Sequence, residues 1–276
     1  MDKDFKKILD RSSGFQVKAK KSKEDAWNEI DKRLQKKVIP VKMLYGVAAA
    51  ILISFVIILF TPNNQEVETL AGEQREIFLP DNSKVILNAG STIKYSEKNW
   101  EKKREIKLNG EAFFEIVKGQ KMVVNCPNGV VQVLGTSFNV FSRSENFIVE
   151  CFTGKVKVSN SNEKIVLEPN TGVRLLSGNN QLKKYLVKGR SSKSWISGYS
   201  NFENSPLSFV FEEFERQFGY TVNIETDITS RIYTGFFSHD SIKEALETIC
   251  LPMGISFSID EKQKIVWIKK SNVSPI

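Results

Sequence analysis

The chain has 276 residues, 40 Lys/Arg against 32 Asp/Glu for a net charge of +8, 41% hydrophobic residues and three cysteines. This composition excludes a disordered chain and a disulfide-built miniprotein, and the length allows more than one hydrophobic core. The positive charge does not indicate nucleic acid: residues 1–42 hold 13 Lys/Arg and 7 Asp/Glu, a net of +6, and the remainder is nearly balanced at 27 and 25.

In the basic head, Phe5, Ile8 and Leu9 fall at helical spacing before Ser12, Ser13 and Gly14 interrupt the pattern. A second helix is predicted from Ser22, a capping residue with Glu24 and Asp25 in the turn that follows, where acids favour the helix dipole. Ala26, Trp27, Ile30 and Leu34 line one face, Lys32, Arg33, Lys36 and Lys37 gather toward the end, and Pro40 stops it. A head of this size (1–42) buries too little surface to fold well alone. Its apolar face needs a partner. The residues alone leave open a protein groove anchored by Trp27 or an anionic lipid surface.

Met43 to Phe60 carry no charge and no proline, and eleven of these residues are Leu, Ile, Val or Phe. At ~1.5 Å per residue the stretch covers about 27 Å, so a transmembrane helix is expected over 43–61. Thr61-Pro62-Asn63-Asn64 offers no small-residue cleavage site. No Lys or Arg lies between Lys42 and Arg75, so the positive-inside rule places the N-terminus in the cytoplasm. Gly46 and Ala50 form one small-xxx-small pair.

From Val67 to about Val187 short β-rich runs succeed one another: Arg75–Leu79, Lys84–Asn88, Arg104–Leu108, Glu111–Val117, Lys121–Cys126, Val130–Leu134, Phe138–Ser142, Phe147–Phe152, Lys155–Ser159, Lys164–Glu168 and Val173–Leu176. Turn residues such as Pro80-Asp81-Asn82, Asn109-Gly110 and Pro127-Asn128-Gly129 separate them. An all-β domain over 67–190 is expected. Ser191–Tyr199 reads as a boundary. Beyond it Leu207, Val210, Phe211, Phe214 and Phe218 follow helical spacing up to Gly219, and Asp240 or Ser241 caps a second helix with Ile242, Ala245, Leu246 and Ile249 on its core face. Thr221–Glu225, Tyr233–Phe237, Ile255–Ile259 and Ile265–Lys269 read as strands, giving a second, α+β domain over 200–276. Ile265, Val266, Trp267, Ile268 and Lys269 form the last strand, read either as an edge open to a partner or as a plain core strand.

Catalytic chemistry is not evident. His239 is the only histidine and sits beside Asp240 at a predicted helix start. No cluster has metal-ligand spacing and no glycine loop is built to cradle phosphate. Cys126, Cys151 and Cys250 read as buried thiols, with a Cys126–Cys151 bridge as the alternative. Neither an enzyme nor a catalytic, cofactor or metal site is expected.

Three strings then become informative. Leu79-Pro80-Asp81-Asn82-Ser83-Lys84-Val85-Ile86-Leu87-Asn88-Ala89-Gly90-Ser91, Leu108-Asn109-Gly110-Glu111-Ala112-Phe113-Phe114-Glu115 and Val133-Leu134-Gly135-Thr136-Ser137-Phe138-Asn139-Val140 resemble, in order, signatures of the FecR-type anti-sigma regulators. The likeness continues through Gly154-Lys155-Val156, and Phe202 to Ile268 is similar to the domain that follows in Bacteroidetes-type members; Asn170-Thr171 departs from the usual turn. The resemblance implies a membrane-anchored, multidomain chain: a short helical head, one transmembrane helix, an all-β FecR-like domain and a C-terminal α+β, STN-like domain. It also implies partners: an extracytoplasmic-function (ECF-type) sigma factor held through Ala26, Trp27, Ile30 and Leu34, the signalling domain of a TonB-dependent outer-membrane transporter, intramembrane and periplasmic proteases, and the lipid bilayer, with no nucleic acid. The implied location is the inner membrane, with the C-terminus periplasmic. The alternative function is a membrane-tethered envelope scaffold or glycan-binding protein.

Overall fold

The computed structural model describes residues 6–7, 10–11, 14, 21–34, 41–60, 64–176, 180–187 and 192–270. The chain divides into two units, Met1–Thr61 and Pro62–Ile276.

In the first unit, helix α1 (Lys23–Leu34) forms where the cap predicts it. Ser22 Oγ accepts from the Asp25 backbone N–H at 3.1 Å and donates to its carboxylate at 2.7 Å. The Phe5, Ile8 and Leu9 pattern lies outside the described residues. Helix α2 occupies Val41–Phe60. The expected membrane-anchored fold is nevertheless corrected: among the described residues no helix is long and apolar enough to cross a membrane.

The second unit begins with thirteen strands in two sheets that share one strand. They are β1 (Asn64–Glu68), β2 (Arg75–Phe78), β3 (Lys84–Leu87), β4 (Thr92–Ser96), β5 (Arg104–Glu115), β6 (Met122–Cys126), β7 (Gly129–Val133), β8 (Ser137–Arg143), β9 (Asn146–Thr153), β10 (Val156–Ser159), β11 (Lys164–Leu167), β12 (Thr171–Leu176) and β13 (Gln181–Leu186). The first half of β5 pairs with β4 and, in parallel, with β6; its second half pairs with β3 and β8. Ile106 and Leu108 from one half and Ala112 and Phe114 from the other enter a single core between the sheets, where Phe114 stacks on Phe138 at 4.8 Å.

The predicted turn at Asn109-Gly110 is therefore not a turn. Both flanking runs belong to one twelve-residue strand. Gly110 takes φ +125°, and a Cβ there would stand 2.6 Å from the Ser91 backbone Cα. Only glycine fits at this corner, where the strand leaves one sheet for the other.

Trp195 lies buried on the 3₁₀ turn Ser192–Ser197, inside the stretch read as a boundary. The C-terminal module follows: β14 (Tyr199–Pro206), α3 (Leu207–Phe218), β15 (Thr221–Ile224), β16 (Ile232–Ser238), α4 (Ile242–Met253), β17 (Ile255–Asp260) and β18 (Ile265–Lys270). Gly219 ends α3 in the left-handed region, and Ser241 caps α4 by accepting from the Glu244 N–H. β14 pairs with β16, and the remaining three strands run in the order β15-β18-β17. Phe211, Phe214, Phe237, Leu246, Val266 and Ile268 belong to a second core, distinct from the first. The edge reading of Ile265–Lys269 is thus corrected: β18 is the central strand, hydrogen-bonded on both sides, and the free edges of this sheet belong to β15 and β17.

Replacing Gly110 with alanine is expected to destabilise the β unit by about 3 kcal/mol or more, combining a strained dihedral with a backbone clash. Urea unfolding of the purified chain checks this. A loss below about 1 kcal/mol contradicts the reading of this corner.

Candidate functional site

Two surfaces stand out, and they are of different kinds. On α1, Trp27 is 59%, Ile30 45% and Leu34 69% exposed, Ala26 is also exposed, and no residue of the helix is buried. Helical spacing brings the three large side chains onto one face. Among the described residues nothing covers this stripe, which makes it a candidate docking surface. The pair Glu29–Arg33, 3.5 Å apart, supports the helix from the side.

The second lies inside Pro62–Ile276, on the outer face of the sheet that carries β8. Strand alternation predicts that one face of β5 and β8 meets water. Instead residues 110–114 and 138–142 are buried throughout, because the C-terminal module covers the outer face. Glu111 points into this seam. Its two carboxylate oxygens accept from Asn88 Nδ2 and Asn139 Nδ2, each at 2.8 Å. Each asparagine spends its amide oxygen across the seam: Asn88 Oδ1 accepts from Gln217 Nε2 of α3 at 3.0 Å, and Asn139 Oδ1 from Trp195 Nε1 at 3.3 Å. Gln217 also donates to Glu213 at 2.7 Å, and Arg216 Nε donates to Glu213 at 2.9 Å. Arg143 Nη2 donates to the Ala89 carbonyl at 2.6 Å and to Ser91 Oγ at 3.0 Å. Two carboxylates and two guanidiniums thus share the seam.

Their environments divide the carboxylates. Burial, followed by the nearby Glu213 charge, pushes Glu111 up to about 7, against the pull of Asn139, Asn88 and Arg143. Burial also opposes ionisation of Glu213, but Arg216, Gln217 and Arg143 outweigh it and hold that carboxyl below its ordinary value. A cavity of about 80 Å³ touches both acids, with Trp195, Ser200, Asn201 and Phe209 in its wall.

The polar groups beside this cavity do not have the order of a nucleophilic triad. His239 Nε2 lies 2.9 Å from Ser200 Oγ, which in turn donates to Glu213 at 3.3 Å. The serine therefore stands between imidazole and carboxylate, whereas an activated nucleophile needs the imidazole in the middle. Burial lowers the His239 pKa below the usual imidazole value. Cys126, Cys151 and Cys250 are free, so the bridge alternative is not what forms. Burial pushes their thiols to about 12, 11 and 12, which leaves little thiolate at neutral pH. Among the described residues no group of three metal-ligating side chains converges.

Of the residues singled out for the transporter, Val266 and Ile268 are fully buried in the second core, Ile265 and Trp267 are partly covered, and Lys269 is exposed, 3.5 Å from Glu225. The seam was missed by sequence reasoning, although Asn88, Glu111 and Asn139 come one from each of the three signature strings. Those strings supply strands β3, β5 and β8 of the sandwich, and they also converge on one carboxylate.

The FecR protein family matches residues 65–157 and its C-terminal domain, described as FecR, C-terminal, matches residues 199–266. Two crystal structures of a candidate anti-sigma factor from Parabacteroides distasonis ATCC 8503 superimpose with TM-scores of 0.71 and 0.70 at 26% identity. They cover 76% and 75% of this chain and the whole of their own. No curated protein matches the chain.

A raised carboxyl pKa means that the folded chain binds this proton more tightly than the unfolded one. The Glu111 contribution is then fully present below pH ~4.5 and is lost as pH rises toward about 7. The stability advantage of the native chain over Glu111→Gln should shrink by up to about 3 kcal/mol across that window. His239 and Glu213 titrate in the opposite sense but are common to both chains. Urea midpoints at pH 4.5, 5.5, 6.5 and 7.5 provide the check. An advantage that grows with pH would show that the asparagine donors prevail and Glu111 is ionised when folded.

Proposed function

The chain belongs to the FecR family, and from that premise we propose that it relays an envelope signal to a sigma factor. An anti-sigma, signal-transducing role with a sigma factor as partner follows from the family and from the anti-sigma description of its structural relatives. The family is regulatory rather than catalytic. The proposal is more specific: the head, 1–42, binds an extracytoplasmic-function sigma factor, and the unit Pro62–Ile276 receives the signal of a TonB-dependent outer-membrane transporter, with proteolysis releasing the sigma factor. The observation that carries it is the uncovered Trp27–Ile30–Leu34 stripe on α1.

Inner-membrane location, with the N-terminus cytoplasmic and the C-terminus periplasmic, is part of the proposal. What supports it is the charge distribution, a +6 head followed by no Lys or Arg from residue 43 to residue 74. Edge pairing with the transporter's signalling domain is available to β15 and β17 but not to β18.

Burying an aromatic anchor is worth ~2 kcal/mol or more. Trp27→Ala in the 1–42 peptide should therefore weaken binding to an extracytoplasmic-function sigma factor from the same organism at least about tenfold, measured by calorimetry. Lys32→Ala should matter less. Unchanged affinity after Trp27→Ala, with loss after Lys or Arg changes, would assign α1 to lipid or general charge. For the location, alkaline phosphatase fused after Ile276 should be active and fused after Val41 inactive. The reverse pattern overturns it.

A further inference from the structure

We propose that the seam between the β-sandwich and the C-terminal module is a latch, held through Glu111, that opens without unfolding either core. Its bearing on signalling rests on the anti-sigma reading; its physical content does not.

The two hydrophobic cores are separate clusters, and Trp195, at the seam, belongs to neither. Hydrogen bonds cross the seam at several points: Asn88–Gln217 and Asn139–Trp195, the Gln74 amide donating to the Trp195 carbonyl at 2.8 Å, and the Gly72 N–H donating to the Arg216 carbonyl at 2.9 Å. Apolar contacts stand beside them, among them Phe141 edge-on against Phe209 at 5.4 Å and the buried Trp195. The hydrogen-bonded part exchanges for water at little net cost, so these links separate more readily than contacts within a core.

Both amide atoms of Asn201, Arg143 Nε and Arg216 Nη2 are buried and bond to no other protein group, so breaking the seam at these atoms costs no protein hydrogen bond. Asn201 lines both the 80 Å³ cavity and a neighbouring cleft of about 400 Å³, whose walls include Ile148, Glu150 and Tyr185 of the sandwich and Phe202 and Phe209 of the module.

Glu111 is the common point of this arrangement. Its carboxylate orients two asparagines that reach two different elements of the module side, α3 and the Trp195 turn. A glutamine at 111 turns one acceptor into a donor aimed at an asparagine N–H, so one of the two links must break.

The test uses thiols as reporters of the two kinds of opening. Cys126, Cys151 and Cys250 lie in or against the cores and mark core exposure. Asn201→Cys adds one thiol at the seam while removing an amide that makes no hydrogen bond. In the purified full chain at pH 7.5, alkylation by N-ethylmaleimide is followed peptide by peptide by mass spectrometry. The introduced thiol should react at least about tenfold faster than the three native ones. Adding Glu111→Gln should accelerate it at least a further tenfold and leave the native three unchanged. Gln217→Ala, which cuts only the Asn88 link, serves if Glu111→Gln does not fold, and should give a smaller acceleration of the same kind. Equal rates at all four thiols, or acceleration of all four together, would show that the seam opens only with global unfolding and would overturn the proposal. An introduced thiol indifferent to both variants would remove Glu111 from the role assigned to it. None of these outcomes bears on whether α1 binds a sigma factor.

Discussion

The second unit turns on a change of sheet at Gly110. Before it, β5 lies between β4 and β6; after it, the same strand lies between β3 and β8. A strand can make this move only where the backbone adopts a dihedral closed to side chains and passes Ser91 without a Cβ. The next residues inherit their orientations from it. Ala112 and Phe114 turn into the sandwich core, and Glu111 and Phe113 turn outward. A carboxylate so close to a fold-defining corner has little freedom, which is why it can serve as a fixed reference for Asn88 and Asn139.

The architecture that results is two cores with a mixed layer between them. A sandwich and a mixed module, each with its own apolar cluster, meet through amides, guanidiniums, two carboxylates of divergent acidity and the rings of Phe141, Phe209 and Trp195. A continuous core would weld the two bodies. A purely solvent-filled gap would leave them uncoupled. A seam of directional hydrogen bonds holds one arrangement while leaving another accessible, which suits a protein that passes a signal from one part of itself to another. The separate first unit presents the opposite physics: an uncovered apolar stripe that gains its stability only when something else covers it.

Much of this was legible in the residues. Alternation and turn chemistry located most strands of the sandwich, and helical spacing with Ser241 and Gly219 located α3 and α4 within a residue or two. β14 was hidden because its pairing shifts between Phe202 and Ser205, with Asn204 in the left-handed region, so no alternation survives. The single course of β5 was hidden because Asn-Gly carries the same signal at a hairpin and at a sheet corner. Helix α2 formed where an apolar run predicted it, yet the expectation of a spanning helix was not met among the described residues. β18 looked like an edge because it is last in sequence; parallel pairing with β15 puts it in the middle. The seam was least legible of all, since Asn88, Glu111, Asn139 and Gln217 are brought together by long-range folding, with 129 residues separating the Asn88–Gln217 pair.

The central claim is that one carboxylate on the sandwich is energetically coupled to the helix of the other module. A double-mutant cycle between Glu111→Gln and Gln217→Ala, read from urea unfolding of the purified chain at pH 7.5, measures that coupling directly. These residues share Asn88 but do not hydrogen-bond to each other. The account predicts a coupling free energy of about 1 kcal/mol or more. Effects that add to within about 0.3 kcal/mol would mean that the relay through Asn88 carries no energy, and would contradict it.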